Sequence, residues 1–400
     1  MMDPEVSVLL HCAAWRGLLE SQVQVELSER FNRHTDPPLE RQIEETWTER
    51  VSKEPWLFNG AKFRLHSFCL AFPKYPSTSA VSPEHPPSIH SSQVPSVYCV
   101  EDQGSRLHCR QRQEDLCDSN LLCDAAQNRN VEDVIQQTPP TLGQTSSTCE
   151  CRASTAELPS HSDRNTDDQE TRPLLTLRLG LTCYKDYLGT NWSCRVEELR
   201  QRGEAEFSDP LALLSQPLGV GAILCTDDGQ VVLIRRSQRV AEAGGLLDIP
   251  GGHPEPKVVC ECLGQAVWEE QVSFAVMQQR PEAVVSELFS SVCTEIRDEV
   301  NIPLSSLREP ILLGVALNHT SAGRPSAEFY VSCSLTSDEV RKLYWKGGAE
   351  ASESTDIVFL SRTEVRQLNR SSPLWSELCP SAKGAVLLYQ TVLIPEDGLR

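Results

Sequence analysis

Asp248-Ile249-Pro250-Gly251-Gly252-His253-Pro254-Glu255-Pro256 follows an apolar run, and Glu287-Leu288-Phe289-Ser290-Ser291-Val292-Cys293-Thr294-Glu295-Ile296-Arg297-Asp298-Glu299-Val300-Asn301-Ile302-Pro303 comes after it downstream. The first stretch reads as a tight Gly-rich turn at the end of a strand. The second reads as an amphipathic helix. Val285, Phe289, Val292, Ile296 and Val300 recur three and four residues apart and form one buried stripe. Glu295 and Glu299 are four apart, and Glu295 and Asp298 three apart, so their carboxylates share a neighbouring face. Like charges at that spacing cost a helix a few tenths of a kcal/mol per pair unless a cation offsets them. Mg²⁺ takes hard oxygen ligands, one or two carboxylates together with phosphate oxygens, and keeps water for the rest. Asn301 tolerates the left-handed cap that ends a helix, and Pro303 lies just beyond it.

Taken alone, E-x-x-D-E on a helix is most often a solvated acidic face, and Pro-Gly-Gly is most often a turn. The two in this order are far more specific. They resemble the Nudix box, G-x5-E-x7-R-E-U-x-E-E-x-G-U with U apolar. Gly252 matches the first Gly, Glu295 the Glu after Arg, and Ile296 the U that follows. Asp298-Glu299 match the paired carboxylates, and Ile302 the last U. The pattern is departed from at several places. Thr294 stands at the Arg, Asn301 at the Gly, and Ser286 at the first Glu, with Glu287 one place late. About thirty residues, roughly His253 to Val285, split the box.

Other runs resemble one animal branch of that superfamily, the uridine diphosphate glucose pyrophosphatases. They are Pro55-Trp56-Leu57-Phe58, Lys62-Phe63-Arg64-Leu65-His66-Ser67, Leu188-Gly189-Thr190-Asn191-Trp192, Arg235-Arg236-Ser237, Val240-Ala241-Glu242-Ala243 and Cys379-Pro380-Ser381-Ala382-Lys383-Gly384. The resemblance covers residues 1–72 and 172–400. It implies a Nudix α/β/α sandwich with a mixed sheet, and Mg²⁺-dependent hydrolysis of UDP-glucose, with UDP-galactose as a second substrate, to UMP and a sugar 1-phosphate. Glu295 and Glu299 become the catalytic metal ligands, with Asp298 as helper. Arg236, Ala241, Asp248, His253, Glu255 and Ser381 become substrate-binding residues. Phe58 and Tyr184 are implied to hold the uracil, although buried core is the ordinary fate of aromatics. Arg236 suits a phosphate oxygen because Arg makes forked contacts. Ser381, at a helix start, caps the helix or touches the ligand. Glu255 and Glu328 are open to supporting or base roles, or to plain surface and strand-edge positions. Two other readings stay open: a catalytically weak UDP-sugar-binding protein, and a Nudix pyrophosphatase for another diphosphate such as coenzyme A or a dinucleotide.

Composition is consistent with this. Hydrophobic residues at 39% and charged residues at 23% describe an ordinary globular chain with ample core. A net charge of −19 repels polyphosphate and argues against a nucleic-acid partner. A nucleotide-sized anion therefore has to meet local positives such as Arg235, Arg236, Arg239 and Lys383, together with the metal. No run is long enough for a membrane span, and the N-terminus has no basic-then-apolar layout. The sixteen cysteines show no zinc spacing, Cys149-x-Cys151 and Cys260-x-Cys262 included, and read as free thiols. The expectation is a cytoplasmic protein, with the nucleus also open, and no protein partner.

Along the chain, strands are expected at Val6–Cys12, Phe63–Phe72 and 173–182, the latter two as hairpin partners, with a helix at Leu39–Val51. Between the hairpin strands, Pro73–Arg172 is rich in Ser, Pro, Thr, Gln, Asp and Glu and is expected to be a disordered insertion. From Pro217 onward the pattern turns α/β. Strands are expected at Val220–Cys225, Val231–Arg235, Ile311–Leu317, Ala327–Leu335 and Ile357–Leu360, and helices at Val284–Val300, Ser337–Tyr344 and Ala382–Ile394. The expected domains are 217–396 for hydrolysis and a base-recognition module from 1–72 and 172–216, interrupted by the insertion at 73–171.

Overall fold

The computed structural model describes residues 3–71, 174–240, 242–265 and 268–393. All of them fall in one unit, Met1–Cys99 with Glu170–Arg400. The expected insertion and Ala241 lie outside the described residues.

The strands are β1 (Val6–His11), β2 (Val23–Leu27), β3 (Ala61–Leu70), β4 (Leu175–Cys183), β5 (Gly219–Cys225), β6 (Gln230–Arg236), β7 (Leu247–Asp248), β8 (Gly251–Gly252), β9 (Ile311–Asn318), β10 (Arg324–Ser332) and β11 (Ser354–Ser361). The helices are α1 (Pro37–Lys53), α2 (Tyr184–Gly189), α3 (Val196–Phe207), α4 (Pro256–Cys262), α5 (Phe274–Met277), α6 (Pro281–Val300), α7 (Ser337–Tyr344), α8 (Arg362–Gln367) and α9 (Pro380–Val392).

The large sheet runs β1-β9-β10-β5-β6-β11, with β7 on β6 and β8 on β5. β10 and β5 are parallel and the other pairings antiparallel, so the sheet is mixed as expected. Strand alternation divides its two faces. Val220, Ala222 and Leu224 of β5 join the core under α6, with Val232 and Ile234 of β6. Ile223, Val231 and Leu233 face the opposite way and pack with Ala382, Val386 and Tyr389 of α9. A sheet covered on both faces gives buried, near-continuous apolar strands, as the fully buried β5 shows. This is the α/β/α sandwich.

β2-β4-β3 form a second sheet, β3 and β4 as the expected antiparallel pair and β2 parallel to β4. Its Val25, Leu65 and Leu177 share one core with Leu288, Phe289 and Val292 of α6, so that helix is buried between two sheets. β1 does not belong to the small sheet. It pairs with β9 and forms an edge of the large one.

Several boundaries shift for identifiable reasons. α1 starts at Pro37, where Asp36 accepts from the Leu39 N–H at 2.7 Å and proline suits the first turn. α9 likewise starts two residues earlier than expected, at Pro380. β10 begins at Arg324 rather than Ala327. Its Pro325 is tolerated because pairing with β5 starts only at Ser326. Asn301 adopts the left-handed cap expected of it, at φ 64°.

Candidate active site

Three carboxylates on α6 meet three alternate backbone N–H groups of the Gly-rich segment. Gly251 donates to Glu299 Oε2 at 2.9 Å, His253 to Glu295 Oε1 at 3.3 Å, and Glu255 to Glu287 Oε1 at 2.9 Å. An extended segment presents every second residue to one side, and a helix every fourth. The two periods thus match for the Gly251–Glu299 and His253–Glu295 contacts, while Glu287 lies eight residues before Glu295 and meets Glu255 further along the helix. Glycine leaves room for this approach: a Cβ at Gly252 would lie 2.0 Å from Glu295 Oε1 and would push that carboxylate aside.

Burial raises all three carboxyls. Glu287 and Glu295 are pushed up to about 7, Glu295 with help from the charge of Glu350. Glu299, 4% exposed, lies well above the usual carboxylate range, through burial first and then through Glu295. Two residues that sequence reasoning missed complete the cluster. Glu350 and Glu353 sit on the loop between α7 and β11, and Glu350 N–H donates to the Asp298 carbonyl at 3.0 Å. One carboxylate oxygen from each of Glu299, Glu350 and Glu353 lies within 4.8 Å of the others. An all-oxygen trio of this kind fits a hard divalent cation. Asp298, expected as helper, instead has both oxygens held by Arg297, each at 2.7 Å.

Beside these carboxylates opens a cavity of about 460 Å³. Arg236, Asp248, His253 and Ser381 line it, together with Glu328, Glu353, Arg324, Glu242 and Trp192. Asp248 is the organiser. It accepts from Arg236 at 3.1 Å, from Ser381 at 3.0 Å and from the Ile249 N–H at 2.9 Å. Ser381 therefore supports Asp248 rather than capping α9, whose N-cap Cys379 makes no side-chain cap bond. His253 is held well below its ordinary value by burial and by the positive Lys62 and Arg324, so it faces the cavity neutral.

Arg324 is a second cation that sequence reasoning missed. It donates to Glu242 at 3.1 Å and lies over the Tyr187 ring at 5.6 Å. Its signal was absent because it stands at a strand start, a common place for a surface Arg. Two of the local positives expected from sequence are committed elsewhere. Lys383 pairs with Glu5, and Arg235 with Glu377 at 3.0 Å. Glu255 is not in the cavity wall and pairs with Lys62 at 3.2 Å.

The two aromatics implied for the base are not in that wall either. Phe58 is 69% exposed on the loop before β3. Tyr184 opens α2, edge-on to Trp47 at 6.4 Å and stacked with Tyr187 at 6.3 Å. Tyr187 in turn stacks with Trp192 at 6.0 Å.

No protein-family model matches the chain. Full-length relatives do. Uridine diphosphate glucose pyrophosphatase NUDT22 of Bos taurus is 40% identical over 391 residues, 98% of each chain. Its Homo sapiens counterpart is 39% identical over 98% of this chain and 94% of its own. Nudix hydrolase 9 of Arabidopsis thaliana is 28% identical over 93% of this chain and 89% of its own. Among solved structures, a Nudix hydrolase from Alicyclobacillus acidocaldarius is 10% identical, covers 44% of this chain and 90% of its own, and gives a TM-score of 0.28. With about 40% identity to the animal pyrophosphatases over nearly its whole length, the chain belongs to the Nudix hydrolase superfamily, in the branch of the uridine diphosphate glucose pyrophosphatases.

Proposed function

We propose that this protein hydrolyses the diphosphate of UDP-glucose, and of UDP-galactose, to UMP and a sugar 1-phosphate, with Mg²⁺ as the cation. The observation that carries the reading is the carboxylate trio of Glu299, Glu350 and Glu353, whose Glu353 lines the same polar cavity as Arg236. The full-length likeness to proteins named for that substrate supports it.

Glu299, Glu350 and Glu353 would hold the cation, with Glu295 alongside. When bound, such an ion neutralises diphosphate charge and lowers the pKa of coordinated water. The chain's own residues supply position. Arg236, fixed by Asp248 and by the Glu242 carbonyl at 3.1 Å, presents its guanidinium to a phosphate oxygen. Neutral His253 and the Asp248–Ser381 pair offer hydrogen bonds to the sugar side. Phe58 and Tyr184, on the small-sheet side of the molecule, serve the uracil. No helix among the described residues is long and apolar enough to cross a membrane. The described cysteines other than Cys262 form no disulfide, which suits a reducing compartment such as the cytoplasm.

The test is incubation with a panel of nucleoside-diphosphate derivatives, with and without Mg²⁺, and chromatographic separation of products. UMP and glucose 1-phosphate appear only with the cation. Absence of both at every Mg²⁺ concentration refutes the proposal. Tight UDP-glucose binding without turnover would instead establish a binding protein.

A further inference from the structure

Glu328 of β10 lies in the wall of the cavity and is fully buried, at 0% exposure. No hydrogen bond of good geometry reaches either of its carboxyl oxygens from the described residues. The other buried acid of the wall, Asp248, is occupied by Arg236, Ser381 and a backbone N–H. Glu242 is held by Tyr187, Ser321 and Arg324. Glu328 differs from both.

Its place is built into the sheet. The residue opposite it on β5 is Gly221, where a Cβ would lie 2.5 Å from Glu328 Oε2 and 2.6 Å from Ile249 Cδ1. A side chain there would displace the carboxyl. Burial pushes Glu328 up to about 8, while Ser326 and Arg324 nearby pull the other way. An interior carboxyl left unpaired is costly, so native structures rarely keep one without a partner that arrives later.

The chemistry of that partner follows from what is missing. Two open carboxyl oxygens accept several hydrogen bonds, and a protonated carboxyl also donates one. A pyranose presents neighbouring hydroxyls that each donate and accept. Uracil offers a single N–H between two carbonyls and needs flat faces to stack on, whereas among the described residues of this wall Trp192 is the one Phe, Tyr or Trp ring. The diphosphate is anionic and brings no donor. We propose that Glu328 receives hydroxyls of the substrate's glycosyl group, making the cavity beneath Asp248 the sugar pocket and Glu328 a specificity-determining residue. This rests on the UDP-sugar reading given above.

The experiment compares wild type, Glu328→Gln and Glu328→Leu on two substrates: UDP-glucose, and the β-methyl ester of UDP, which keeps base and diphosphate but carries no sugar. With Glu328→Leu, the KM for UDP-glucose should rise about tenfold or more, the loss of one or more charge-assisted or buried hydrogen bonds. kcat/KM for the methyl ester should stay within about twofold, because that substrate never made the contact. Glu328→Gln keeps a carbonyl acceptor and should fall between. Leu removes a buried carboxyl, so its melting temperature should not fall; if that variant fails to fold, Glu328→Gln decides with the same two substrates. Equal losses on both substrates would overturn the proposal, since Glu328 would then serve the base, the chemistry or the fold. Unchanged kinetics on both would also overturn it. A wild type inactive on both substrates refutes the diphosphatase reading itself, and with it the sugar assigned to the cavity, which separates that failure from a failure of Glu328.

Discussion

Gly251 N–H and Glu299 Oε2 meet at 2.9 Å across 48 residues of sequence, and this contact rejoins the two halves of a split Nudix box. The stretch between them leaves as α4 and returns, by way of α5, as α6. The Glu299 end of α6 is therefore fixed by backbone, not by side-chain packing alone.

Glu350→Gln and Glu353→Gln test whether the loop after α7 contributes ligands. Each removes one charge from the trio of oxygens within 4.8 Å and keeps side-chain size. The expected outcome is a rise in the Mg²⁺ concentration needed for half-maximal hydrolysis, on the order of 10- to 100-fold, with the fold intact by circular dichroism. Glu299→Gln should abolish turnover. An unchanged Mg²⁺ titration in both loop variants would leave α6 as sole holder of the cation.

Stability should fall as pH rises through the neutral range in metal-free buffer. Glu287 and Glu328 have folded pKa values raised from 4.5 to about 7 and about 8. The native state then binds more protons than the unfolded state above about pH 4.5, so its advantage is present below that pH and is lost as pH climbs to 7–8. Thermal melts from pH 5 to pH 8, read by circular dichroism, should show the decline. Glu287→Gln and Glu328→Gln should each flatten it, and a flat wild-type profile would contradict the burial argument.

Phe58→Ala should raise the KM for UDP-glucose about ten- to a hundredfold with kcat nearly unchanged, as loss of a uniform stacking contact does. Phe58 is 69% exposed, so its removal should leave the melting temperature where it was. Tyr184→Ala should do the same to KM but also cost stability, because Tyr184 touches Trp47 and Tyr187. Wild-type kinetics in both variants would move the base elsewhere.

Replacing Pro73–Arg172 by a short Gly-containing turn should preserve folding and activity. Leu70 and Leu175 are directly paired at the ends of β3 and β4, and Ala71 N–H donates to the Leu174 carbonyl at 2.7 Å. The gap to be bridged is that of a hairpin. Size-exclusion and activity measurements on the deletion decide it, and an insoluble or inactive product would show that the segment packs on the domain.

What sequence revealed and what it hid divide along physical lines. α6 was legible because Val285, Phe289, Val292, Ile296 and Val300 repeat on one face, and Asn301 with Pro303 marks its end. The central strands were legible as short apolar runs. β2 was missed although Val23, Val25 and Leu27 alternate cleanly with Gln24 and Glu26, since five residues with no marked turn on either side look like loop. α3 was missed because its interior carries mostly charged residues, with Leu199 and Gly203 as its buried positions. In the site, Glu299 announced itself by helical spacing. Glu350 and Glu353 did not, for they lie on an irregular loop whose approach depends on tertiary folding. Arg324 shares this difficulty, and Glu328 was named only as open between a supporting or base role and a plain strand-edge position: one strand position in two faces a cavity, and sequence does not say which cavity.

The pairing of β1 with β9 carries a consequence for synthesis. Val6 and Asn318 are partners, so β1 leaves the ribosome and waits for a strand made some three hundred residues later. Loops of that span make the large sheet a high-contact-order assembly, slow to close. During that interval β1 carries unpaired N–H and C=O groups and apolar Val6 and Leu10, the kind of exposed strand that chaperones hold and that seeds aggregation when they do not. The small sheet, whose strands all lie within the first 183 residues, can form much sooner. Vectorial synthesis therefore builds the molecule from the outer sheet inward, and the catalytic sheet is finished last.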